Sequence, residues 1–272
     1  MSRPVLTFIT DFGLSDGFVG TMKGVALAIC PDLTIVDITH QVPPQDIRTG
    51  ELILRAAHPY FPQGTIHVAV VDPGVGSGRR AILIQDEKFL FLGPDNGVLT
   101  SALEKEGAKV REVCNPRWFL KGPSATFHGR DVFAPAAAHL GAGAEPTDAG
   151  PEVSDAIRLP FPSPRVEADR KGARARIRGV VIHVDRFGNL ITNVDRESFE
   201  EASGSARGGR ARVFLKGREV AELVRFYNES REGKAAALFN SWGFLELFVS
   251  CGNAAQILNA GLDETVIVEI SA

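Results

Sequence analysis

The chain is bounded first by what it lacks. Three cysteines in 272 residues, Cys30, Cys114 and Cys251, stand far apart without a CxxC pair. That excludes a disulfide framework and a cysteine zinc site. No apolar run reaches the roughly 18 to 20 residues that a membrane span needs. The opening MSRPVLTFITDFG meets Asp11 too early to hold a signal-peptide core, so a cytoplasmic protein is expected. Acids and bases nearly cancel, leaving a formal net charge of -3, so no basic footprint for nucleic acid is present. GVGSGRR lacks the GxxxxGK[ST] spacing of a phosphate loop, and no second His or Cys stands at ligand spacing from His128, so no metal or redox cofactor is signalled. What is there is ordinary for a soluble globular protein: 44% apolar and 23% charged residues. At this length a core begins to divide into two domains.

The first 140 residues alternate between two periods. VLTFIT (5–10), LTIVDIT (33–39) and TIHVAVV (65–71) are short and β-branched, as in strands covered on both faces. Between them, Phe18, Val19, Met22, Val25, Ala26 and Ile29 recur at helical spacing, and a second helix is predicted from about Asp46 to Ala57. Strand-helix-strand order implies right-handed crossovers and a mainly parallel sheet. RAILIQ and KFLFLG (80–85, 88–93) read as a hairpin added to it, and DVFAPAAAHL (131–140) as a further helix despite Pro135. Residues 141–165 hold eight Gly or Pro and read as a linker, partly able to pack in extended form. Short alternating strands with glycine turns follow, as in a small barrel. The expected organisation is an α/β N-terminal domain over 1–155, a linker to about 170, and an all-β C-terminal barrel domain over 171–272.

Four polar clusters fall at strand ends or turns, where ligands of open α/β sheets collect. In ITDFGLSDG, a carboxylate at Asp11 suits a ribose diol; alternatively Asp11 or Asp16 caps the helix that begins near Gly17. In VVDPGVGSGRR (70–80), Asp72 and Arg79 flank a glycine turn, either as a surface ion pair contributing about 0–1 kcal/mol or as half of a catalytic site. In SATFHGRDVFAP (124–135), small residues let His128 protrude just before a helix, a reasonable place for a base, although a lone His is more often structural. In the second domain, Asn189 offers the donor and acceptor of an adenine edge, Phe187 a stacking face, and Gly252-Asn253-Ala254 a backbone that a planar ring can approach. FGN also reads as a hairpin turn, with Gly and Asn present for positive φ.

TDFG, DITHQVPPQDI (37–47), VVDPGVGSGRR, GPDNG (93–97), TFHGRD, DRFGNLITN (185–193) and NSWG…GNAA (240–255) occur in one order. In that order they resemble the S-adenosyl-L-methionine (SAM) hydroxide adenosyltransferases, adenosine-forming hydrolases homologous to fluorinase and chlorinase. The resemblance spans nearly the whole chain. It implies a homotrimer with SAM at subunit interfaces, and hydrolysis of SAM to adenosine and L-methionine by in-line attack of water or hydroxide on C5′. It implies catalytic roles for Asp72, Arg79 and His128, a ribose contact for Asp11, and an amino-acid contact for Asp16. Asp185, Phe187, Asn189, Asn253 and Ala254 are implied to hold adenine and methionine, with Ser241 at the methionine carboxylate. The halogenating relatives place Tyr at Asp72, Tyr-Ser at His128-Gly129 and Trp at Gln45; this chain follows the hydrolytic pattern at each. Trp242 stands where halogenases have Arg. A SAM-dependent halogenase and a non-catalytic SAM- or adenosine-binding protein are the competing readings.

The sulfonium leaves as a neutral thioether, so no general acid is needed. What remains is to align a water and remove its proton. Asp72 and Arg79 are expected to position the water, with His128, whose ordinary pKa is better suited, nearest the proton path.

Overall fold

The computed structural model describes residues 3–168, 174–205 and 210–271. The chain divides into two compact units, Met1–Pro160 and Phe161–Ala272; the expected start of the second domain at residue 171 lies outside the described residues.

The first unit runs β1 (Val5–Thr10), α1 (Phe18–Ile29), β2 (Thr34–Thr39), α2 (Ile47–Ala57), β3 (Ile66–Val70), β4 (Ala81–Gln85), β5 (Leu90–Pro94), α3 (Thr100–Leu103), β6 (Lys109–Glu112) and α4 (Ala134–Gly141). Its sheet has the order β2-β1-β3-β5-β4-β6. The β1–β2, β1–β3 and β3–β5 pairs are parallel, and β4 is antiparallel to β5 and β6. A mainly parallel sheet is therefore present, with an antiparallel edge. β1 and β3 are covered on both faces as the apolar runs predict, but β2 is only half-buried because it is the edge strand. α1 buries Val19, Met22 and Ala26, one stripe at helical spacing. α2 starts where the Asp46 carboxylate accepts the Thr49 N–H at 3.0 Å. The helix expected over 131–140 begins earlier, as a π-helical turn over Gly129–Phe133. That turn passes into α4, placing Pro135 at the junction, where the helical hydrogen-bond register changes.

Much of the stretch read as a linker packs against this unit in extended form. Val153 donates its N–H to the Val110 carbonyl, and Leu159 donates its own to Thr100 Oγ1 at 2.9 Å. Leu159 also fills the space a side chain would need at Gly97.

The second unit contains β7 (Arg165–Ala168), β8 (Arg174–Val184), β9 (Leu190–Asp195), α5 (Arg196–Ser205), β10 (Arg210–Leu215), β11 (Arg218–Glu222), β12 (Ala235–Phe239), β13 (Phe244–Val249), α6 (Ala254–Ile257) and β14 (Thr265–Ser271). The strand order is β11-β10-β14-β8-β9-β13-β12, with β7 on β8. A bridge from Leu223 to Ala237 draws the two ends together, so the sheet nearly closes into a barrel. Alternate residues of β8 and β14, among them Ile177, Val266 and Val268, fill its interior.

Candidate functional site

Asp72 follows β3 at the carboxyl edge of the sheet, and Arg79 precedes β4. Because β4 runs antiparallel to β5, and β5 parallel to β3, β4 begins at that same edge. The loop between them therefore returns to the edge it left. Arg79 lays its fork on Asp72: Nε lies 3.0 Å from both carboxylate oxygens, and Nη2 is in closer contact with Oδ2. The two side chains are 4% and 11% exposed, so this is no weak surface pair. Gly76, at φ +78°, lies so close to the Ala125 carbonyl that a Cβ would stand 2.3 Å from it. Only glycine lets the loop touch the segment that carries His128.

That segment is fixed by Asp131, which accepts the Ser124 N–H at 2.8 Å and pairs with Arg130. His128 then receives Arg79 Nη2 on Nδ1 at 2.8 Å. The structure thus brings Asp72, Arg79 and His128 together. A guanidinium only donates, so His128 Nδ1 is the acceptor and its proton resides on Nε2. Burial, then the Arg79 charge, push the His128 pKa below its ordinary value, which keeps the imidazole neutral. Its outer nitrogen is a donor, and the Asp72 carboxylate lines the same small cavity.

A small cavity of about 120 Å³ is lined by Asp72 and His128 together with Phe12, Phe18, Thr126 and Phe127. Arg80, the neighbour of Arg79, does something different. It pairs with buried Asp95 of GPDNG and with Asp155. Asn96 of the same motif donates its amide to the Val71 carbonyl at 2.9 Å. The loop is therefore clamped at both ends.

Asp11 does not cap α1. Its Oδ2 accepts the Gln45 N–H at 2.8 Å. Its loop is braced from below, where Thr10 Oγ1 is 2.8 Å from Nδ1 of buried His40 and Gly13 donates to the His40 carbonyl. The N-cap of α1 is Gly17, with no side-chain cap bond, so Asp16 is left exposed without a capping duty.

In the second unit, the turn between β8 and β9 is built by Asp185. Its Oδ1 accepts the N–H groups of Phe187 and Asn189, and its Oδ2 accepts the Asn189 amide at 3.1 Å. Gly188 alone has positive φ here, so Asn189 is not present for backbone reasons. Gly188 packs on the Asn253 side chain and accepts the Ala255 N–H, which joins this turn to the start of α6. Asn253 caps α6, and Ala254 is buried. Phe187 is 74% exposed. Phe187 and Asn189 line an open cavity of about 580 Å³ with Tyr227, Phe248, Ser250 and Gly252. Ser241 is separated from this group. It lies in the turn before β13, whereas Asn189, Asn253 and Ala254 gather at the far end of that six-residue strand, about 17 Å along.

Three participants escaped sequence reasoning. Buried Glu246 accepts the Tyr227 hydroxyl at 2.8 Å and the Asn240 amide at 3.1 Å, linking the cavity wall to the Ser241 turn. Burial raises the pKa of Glu246, and also that of Tyr227. A lone carboxylate inside the apolar FLELFVS was the available signal. Phe12 and Phe18 were hidden as ordinary apolar positions. Among the described residues, no group of three His, Cys, Asp or Glu is placed to hold a metal ion, and no helix is long and apolar enough to cross a membrane.

Comparison with known proteins agrees over nearly the full length. Residues 6–150 match the SAM hydroxide adenosyltransferase N-terminal domain, and residues 179–267 the C-terminal domain. Proteins of Salinispora arenicola and Salinispora tropica named (R)-S-adenosyl-L-methionine hydrolase are 39% and 41% identical, each over 94% of both chains. A fluorinase of Actinoplanes is 29% identical over 97% of both chains. The crystal structure of an uncharacterized conserved protein from Thermotoga maritima superposes with a TM-score of 0.86 at 35% identity, covering 97% of this chain and 99% of that one.

Proposed function

The chain belongs to the SAM hydroxide adenosyltransferase family, and on that premise we propose that it hydrolyses S-adenosyl-L-methionine to adenosine and L-methionine. The observation that carries this reading is the Asp72–Arg79–His128 cluster, whose Asp72 and His128 line one small, largely apolar cavity. A water there donates to Asp72 and accepts from His128 Nε2–H, which fixes both its position and the direction of its lone pair. Its oxygen bonds to C5′ while the C5′–S bond breaks and its electrons return to sulfur. The water's proton passes to the Asp72 carboxylate. A weak base suffices, because an oxygen already bonding to carbon is far more acidic than water. Positioning is the larger contribution, up to about 7–11 kcal/mol in well-oriented cases, with proton removal adding typically about 10²–10⁴-fold. The apolar walls assist, since the sulfonium is discharged as the C5′–S bond breaks and the Asp72 carboxylate is neutralised by the water's proton, and low polarity favours such charge neutralisation.

The names of the relatives specify the (R) form. As "L" already fixes the carbon centre, the label designates the sulfonium, and this chain is proposed to prefer the same epimer. Asp11 is assigned to the ribose and Asp16 to the amino-acid end. Asp185, Phe187, Asn189, Asn253, Ala254 and Ser241 are assigned to adenine and methionine. The reading includes a homotrimer with SAM at subunit interfaces and a cytoplasmic location, and it requires no cofactor. Hydrolysis in ¹⁸O-water tests the reaction: label in the 5′-oxygen of adenosine, with methionine unlabelled, is expected from the (R) epimer. Release of adenine, or no turnover of either epimer, would overturn it. Sedimentation equilibrium tests the trimer.

A further inference from the structure

The cavity that holds Asp72 and His128 is also lined by three phenylalanines, beside Val70, Val75 and Thr126. Phe12, Phe18 and Phe127 form a mutual cluster with ring centroids 5.2–6.0 Å apart and interplanar angles of 60°, 74° and 81°. Planes set at such angles leave no line of approach edge-on to all three. Phe18 is 45% exposed, although it is a large apolar ring on the first turn of α1. Arg130 stands over Phe127 at 5.1 Å; among the described residues, no cation stands over Phe12 or Phe18.

We infer that Phe12 and Phe18 recognise the positive charge of the substrate sulfonium and set the selectivity for cation over neutral thioether. The inference rests on the SAM hydrolase reading. In-line attack brings the reacting atoms to about 3–3.5 Å, which sets the sulfur about 5 Å from a water held by Asp72 and His128. On this reading it sits against the rings of the same cavity, since a cation is attracted to an aromatic face within about 6 Å of the ring centroid. The attraction vanishes when the C5′–S bond breaks, because methionine sulfur is neutral. The rings thus favour the substrate over both products, and they weaken their hold as the reaction proceeds.

Binding of SAM and of its neutral counterpart S-adenosyl-L-homocysteine is measured by calorimetry in an Asp72→Asn background, which suppresses turnover. Phe18→Leu and Phe12→Leu, which keep apolar bulk, are expected to weaken SAM about three- to thirtyfold per ring. The homocysteine compound should change less than twofold, and Phe18→Tyr should restore SAM binding. With Asp72 present, Phe18→Leu should raise KM without lowering kcat, because the lost interaction belongs to the ground state. Equal weakening of both ligands would mean mere packing and overturn the inference, as would no change in either. If the parent enzyme neither binds nor cleaves SAM, the hydrolase reading itself falls; discrimination lost only in the ring test leaves that reading standing.

Discussion

Asp11 holds Gln45 in the left-handed backbone region: its Oδ2 accepts the Gln45 N–H at 2.8 Å, and Gln45 has φ +66°. For a residue with a Cβ this conformation costs about 1–2 kcal/mol. Gln45→Gly should therefore stabilise the protein by about 0.5–1 kcal/mol, seen as a rise of about 1–4 °C in calorimetry. A fall in Tm would show that the Gln45 side chain contributes more than its backbone costs.

Arg79 and Arg80 are adjacent but divide their work. Arg79→Lys, which loses the fork on Asp72 and the contact with His128, should lower kcat by about 10²-fold or more with little change in Tm. Arg80→Ala strands the buried Asp95 carboxylate and should cost about 3–5 kcal/mol of stability. Its kcat at a temperature where it remains folded should be near that of the parent. Unfolding curves and steady-state rates on both variants separate the two effects.

The pH dependence follows from the neutral state of His128. Protonation would set an N–H against Arg79 and break the cluster, so activity falls on the acid side. Since burial and Arg79 hold this pKa below 6.5, kcat/KM should be flat through neutrality and decline only at lower pH. An inflection at or above 6.5 contradicts the assignment. Arg79→Gln should move the inflection upward.

Acid should also destabilise the first unit at a second place. Buried His58 and His67 sit among Phe89 and Phe91, with pKa values lowered by burial to about 4 and about 3. The unfolded chain takes up these protons near 6.5 and the folded chain does not. Stability is thus full above 6.5 and is lost as pH falls towards 4 and then 3. Each His contributes a slope on the order of 1 kcal/mol per pH unit. His58→Phe should remove one such contribution, measurable as a shallower loss of stability between pH 6 and 4.

The alternation of apolar strands and helical stripes made the first unit legible, and the glycine-punctuated strands did the same for the barrel. Edge position was not legible: β2 reads like its neighbours, yet lies half-exposed, because strand order is a property of crossovers rather than of any one strand. The meeting of Asp72 with Arg79 could be suspected from VVDPGVGSGRR. The direction of the Arg79–His128 hydrogen bond could not, because it depends on which imidazole nitrogen faces a group that only donates. Asp185 reads as a substrate contact, and nothing in the sequence signals that it also builds its own turn. Tyr227 and Glu246, 19 residues apart, meet only because the barrel curls.

The loop from Asp72 to Arg79 is anchored at one end by the Asn96 amide on Val71 and at the other by the grip of Asp95 on Arg80. Neither anchor lies between the two catalytic candidates. The segment is thereby a cassette: its interior can be exchanged for one that hosts a different nucleophile while the sheet beneath keeps its registration. Its clamps let the interior be re-lined without disturbing the strands it joins, while His128 and Gln45 stand on other segments outside it.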